Sequence, residues 1–107
     1  MILTVEKARE IYGARIHDGA RIHSGAVIHP RAVIHAGAEI GSNAVIEGGV
    51  IVYRDALICD GARIEQGATI GRGATVGNGA TVGKFAYVCN YAIVEANSVV
   101  EADSEVK

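Results

Sequence analysis

The sequence predicts an all-β fold, a parallel β-solenoid of about five coils with a short N-terminal capping segment, and three observations carry that prediction. An aliphatic residue recurs every six positions from Ile16 to Val106, sixteen times without a slip, nine as isoleucine and seven as valine. Two residues before each stands a small one, alanine in thirteen cases and Val50, Ser98 and Ser104 in the others. The position before that is glycine in nine of the sixteen units. A six-residue period is neither the 3.6 of a helix nor the alternation of a strand, so each unit must hold a short strand and a turn.

Within a unit the small residue and the β-branched one are two apart and face the same side of an extended segment. Glycine, asparagine or aspartate then bends the chain. One unit cannot bury its apolar side alone, so it stacks on copies of itself and the aliphatic residues form ladders in a narrow core. Units such as Gly67-Ala68-Thr69-Ile70-Gly71-Arg72 and Gly73-Ala74-Thr75-Val76-Gly77-Asn78 resemble the bacterial transferase hexapeptide repeat. That resemblance implies a left-handed parallel β-helix with three flat walls, three hexapeptides per coil and assembly as trimers with parallel axes. Periodicity alone favours the opposite hand. The stretch Ile28-His29-Pro30-Arg31-Ala32-Val33-Ile34 also resembles the opening coil of acyltransferases that act on nucleotide sugars in lipid A synthesis.

In chain order, residues 1–12 break the repeat, because running the register backward puts Thr4 and Glu10 at core positions and a charge there is not credible. They are expected to cap the open end of the core. One form is a short helix over Val5 to Tyr12 with Thr4 as N-cap; the other is a short edge strand. Residues 13–107 form the repeat domain. Its last units carry Glu95, Glu101, Asp103, Glu105 and Lys107, charges that discourage end-to-end pairing.

The 107 residues make one domain, and a net charge of −2 with no basic stripe argues against a nucleic-acid partner. No apolar run reaches a membrane-spanning length and no signal-peptide pattern opens the chain, so no membrane partner and a cytoplasmic location are expected. Cys59 and Cys89 are thirty residues apart, not a multiple of eighteen, which puts them on different walls, unable to pair. Both point outward, and free outward thiols suit a reducing compartment.

Function must lie on outward positions, which an eighteen-residue coil sorts into walls. The first wall carries Val33, Ile51 and Tyr87 in one column and His17, His35, Tyr53 and Cys89 in the other. It is the least polar of the three, and Phe85 and Tyr91 replace glycine at its two flanking corners, making an aromatic cluster with Tyr87. An apolar wall on a small protein fits a partner, here read as the homotrimer contact. The second wall mixes His23, Cys59 and Glu95 with Leu57 and Ile93. The third has an acidic outer column of Glu47, Glu65 and Glu101 alongside His29 and Gly83.

The four histidines ring the first coil, and His17 and His35 stack about 4.8 Å apart on the apolar wall. As a metal site, imidazoles from neighbouring chains would share an ion such as zinc, although the second ligand pair that a hexapeptide-repeat carbonic anhydrase uses is absent. As a catalytic site, the resemblance to acyltransferases implies a histidine general base in a subunit cleft, with His17 or His35 in that role and coenzyme A or acyl-coenzyme A as donor. Such enzymes commonly carry loop excursions or a C-terminal helical region, and this repeat has no insertion. The sequence therefore reads first as a homotrimeric structural or binding module that requires no cofactor and has no complete active site of its own. A small-molecule or protein partner is expected at its surface. A minimal acyltransferase using acyl-coenzyme A or an acyl-carrier protein is the alternative.

Overall fold

The computed structural model describes residues 2–3 and 14–107. The chain order is β1 (Ile2–Leu3), β2 (Arg15–Ile16), β3 (Arg21–His23), β4 (Val27–Ile28), β5 (Val33–Ile34) and β6 (Glu39–Ile40). There follow β7 (Val45–Ile46), β8 (Ile51–Val52), β9 (Leu57–Ile58), β10 (Arg63–Ile64), β11 (Thr69–Ile70) and β12 (Thr75–Val76). The last are β13 (Thr81–Val82), β14 (Tyr87–Val88), β15 (Ile93–Val94), β16 (Val99–Val100) and β17 (Glu105–Val106). Successive strands fall on successive walls, so every third strand is a neighbour and three parallel sheets enclose one core in a left-handed solenoid of about five turns. The first wall is β2-β5-β8-β11-β14-β17, the second β3-β6-β9-β12-β15 and the third β4-β7-β10-β13-β16.

Each strand is held to the next coil by two hydrogen bonds at fixed register. The N–H groups of Thr69 and Gly71, for example, donate to the carbonyls of Ala86 and Val88 at 2.9 and 2.7 Å. Each wall ends in a β-turn, such as the N–H of Ala92 donating to Cys89 O at 3.1 Å, and the third residue of that turn has positive φ. From Gly19 to Asp103 this holds at every sixth residue, eight of them glycine. This is the type II geometry that selects glycine or asparagine. It explains the glycine phase in the sequence and marks Phe85 (φ 60°) and Tyr91 (φ 64°) as costly exceptions.

The core is the predicted ladder. The aliphatic series from Ile16 to Val94 and the small residues from Ala14 to Ala92 are buried, with no buried polar or charged residue among those described. Val100 and Val106 continue the series but are only partly buried against the core. At the other end β1 adds to the second wall antiparallel to β3, pairing Ile2 with His23 and Leu3 with Ile22. The helix expected over Val5 to Tyr12 lies outside the described residues. No helix among the described residues is long and apolar enough to cross a membrane.

Candidate functional site on the first wall

Strand register fixes what each wall displays. On the first wall Val33, Ile51, Thr69 and Tyr87 are direct neighbours in one outward column. His17, His35, Tyr53, Gly71 and Cys89 follow the same strands in the second column. The proposed contact residues Val33, Ile51, Tyr53, Tyr87 and Cys89 therefore share one flat surface. Tyr53 is 39% and Tyr87 42% exposed, and Val33, Ile51 and Cys89 are half-buried. Phe85 and Tyr91 stand at the corners of this wall, 61% and 67% exposed, each with its ring laid down on a glycine of the coil below, Gly67 and Gly73.

The second column is a ladder of rings. His17 and His35 stack with centroids 4.8 Å apart and planes 10° from parallel, and His35 stacks on Tyr53 at 5.1 Å and 8°. The eighteen-residue coil sets this spacing, because the rings repeat with the strands that carry them. Gly71 ends the ladder. A Cβ there would lie 2.6 Å from the backbone nitrogen of Asn90, whose side-chain oxygen accepts the N–H of Arg72 at 2.9 Å. Burial first, then the nearby His17 and Arg54, holds His35 below the ordinary imidazole value of 6.5, so the middle ring of the stack is neutral at neutral pH.

Face-to-face rings direct their in-plane nitrogen lone pairs outward rather than at each other. Among the described residues no group of three or more His, Cys, Asp or Glu side chains could hold a metal ion. The stacked pair alone is half of what a zinc site needs.

The two thiols are free and lie on different walls. Burial, then Asp60 and Glu39, pushes the Cys59 thiol up. Burial, then the hydrogen bond from its thiol to Glu105 at 3.3 Å and that carboxylate's charge, pushes Cys89 up against the opposing pull of Lys107. Both are protonated and weakly nucleophilic near neutrality.

A spacing of eighteen leaves out the polar pairs that form sixteen residues apart. On the second wall His23 Nε2 lies 2.6 Å from Glu39 Oε2, a carboxylate-oriented imidazole. On the third, Arg63 donates to Glu47 at 2.8 and 3.0 Å. These two bonds and the Cys89–Glu105 bond all join residues sixteen apart. A second-column side chain thus reaches diagonally to the first column of the coil above, and a search for polar pairs at that spacing would have found His23 with Glu39. His29 joins no such pair.

The fold recurs in solved structures. PerB from Caulobacter crescentus, solved in complex with CoA and GDP-perosamine, is 27% identical over 77% of this chain and 48% of its own length, with a TM-score of 0.58. The acetyltransferase domain of PglB from Neisseria gonorrhoeae is 22% identical over 80% of this chain and 45% of its own (TM-score 0.55). The product of the Bacillus cereus BC4754 gene is 17% identical over 85% of this chain and 70% of its own (TM-score 0.53). The chain thus spans about half the length of the first two. No curated protein matches it. Residues 12–107, the whole repeat with all three walls, match the family described as the GMPPB C-terminal domain, and the chain belongs to that family.

Proposed function

We propose that this chain is a self-associating hexapeptide-repeat module, a homotrimer whose first wall is the subunit contact, and that one chain holds no complete active site. The observation that supports it best is the first wall itself, where Tyr53 and Tyr87 stand out from half-buried Val33 and Ile51 on one flat strip. Phe85 and Tyr91 extend that strip while held in a backbone conformation that bulky residues avoid. Exposed aromatic side chains on a flat apolar surface are what subunit contacts use. A heterologous contact along this wall, repeated by a rotation of a third of a turn, closes into a trimer by cyclic symmetry. Two protonated thiols fit a reducing, cytoplasmic setting. Light scattering tests the reading directly: a mass three times that of the chain supports it, and a monomer overturns it.

The minimal acyltransferase is a second reading, favoured by the likeness to PerB and by the His23–Glu39 pair, since a carboxylate-held imidazole is suited to accept a proton. His17 and His35 remain its first-wall candidates for that base, with coenzyme A as the donor's carrier. Binding only to the native form, coenzyme A would raise the melting temperature. Turnover that survives His17→Ala, His35→Ala and His23→Ala alike would remove these three histidines as the catalytic base.

A further inference from the structure

The stack on the first wall differs from the His23–Glu39 contact in one chemical respect. His23 has a carboxylate 2.6 Å away that would receive a proton's charge. His35 has a ring on each face and no hydrogen bond or ion pair to a carboxylate among the described residues. The groups around it come from three successive coils. Below are His17 and, in the turn after it, Asp18; above are Tyr53 and, in the next turn, Arg54 and Asp55. The Asp55 carboxylate is turned down onto Gly37, at the corner and off the ladder. The charges that bear on His35 are those of His17 and Arg54, both repelling an added proton.

We infer that proton uptake at His35 opens the contact between copies of this chain, so that the first wall is an acid-sensitive interface, closed near neutrality. This rests on the proposed role of that wall as the subunit contact. A protonated His35 would sit between the rings of His17 and Tyr53, 4.8 and 5.1 Å away, with the charge of Arg54 opposing it, and its own charge would demand water. A neighbouring copy excludes that water, and an unpaired charge buried in a contact is costly. Proton uptake and self-association therefore oppose each other, and by linkage acid drives the assembly apart.

The experiment is the molar mass by light scattering of the wild type, His35→Phe and Arg54→Gln between about pH 7.5 and about pH 5, at fixed ionic strength. Phenylalanine keeps a ring in the stack and cannot titrate. The expected result is that the wild type dissociates across this range while His35→Phe stays assembled, and that Arg54→Gln, having lost one repelling cation, dissociates at a higher pH than the wild type. Equal dissociation of wild type and His35→Phe, or a wild type still assembled in acid, overturns the inference and leaves the subunit contact standing. A wild type that is monomeric at about pH 7.5 removes the contact, and the inference with it.

Discussion

The ring of Phe85 lies on the bare α-carbon of Gly67, one coil below it at the same corner, where a Cβ on the glycine would strike the ring. Gly67 also has φ +75°, so an alanine there carries two costs, a left-handed backbone and a displaced aromatic ring. Gly49, one coil further down, has almost the same φ (+74°), and its nearest atom is 3.7 Å from the Cβ position. Gly49→Ala therefore measures the backbone alone, about 1–2 kcal/mol. Gly67→Ala is expected to cost about 1 kcal/mol more, read from the difference between the two denaturant midpoints. Equal losses would mean that Phe85 gains nothing from its seat.

The core register makes a sharper prediction at Ile58, which is fully buried in the middle coil. Ile58→Asp puts an unpaired charge among stacked aliphatics with no buried polar group nearby, a cost of several kcal/mol, and is expected to give an unfolded chain by circular dichroism. Ile58→Val removes one methyl and is expected to lose about 0.5–1.5 kcal/mol. A folded aspartate variant would contradict the inward direction of this ladder.

Much of this was legible in the sequence because a solenoid turns spacing along the chain into position in space. Steps of six place Ile16 to Val94 in the core, and steps of eighteen place His17 over His35. What stayed hidden depends on side-chain reach and not on backbone period. Glu39 meets His23 across columns, sixteen residues on, and Tyr53 joins the histidine stack because its ring lies parallel to an imidazole. Phe85 and Tyr91 were legible as corner aromatics, but not as rings folded down onto Gly67 and Gly73. The antiparallel pairing of Ile2–Leu3 with β3 has no repeat to announce it.

The raised thiol values predict slow chemistry. Cys59 and Cys89 are both held above their ordinary value of 9.0, so the thiolate fraction near pH 7.5 is smaller than in an unstructured peptide. Alkylation by iodoacetamide is expected to be slower in the folded protein than in urea for both. Glu105→Gln removes the acceptor's charge and should speed Cys89 while leaving Cys59 unchanged. Faster labelling of the native protein than of the denatured one would reverse the sign assigned to these sites.

If the first wall is the subunit contact, position and not hydrophobicity decides which surface substitutions break the assembly. Ile93 is 67% exposed, more than Tyr87 at 42%, yet it stands on the second wall, following Leu57 and Thr75 in its column. A rule based on exposed apolar area alone would rank Ile93→Asp as the more disruptive change. The wall assignment ranks them the other way: a carboxylate at Tyr87 or at Ile51 would face the neighbouring copy without a partner, whereas one at Ile93 would face water. Light scattering of the three variants is expected to find Ile51→Asp and Tyr87→Asp monomeric and Ile93→Asp fully assembled, with circular dichroism showing all three folded. Dissociation by Ile93→Asp with retention by Tyr87→Asp would move the contact to the second wall, where Leu57 and Ile93 would take the place of Ile51 and Tyr87.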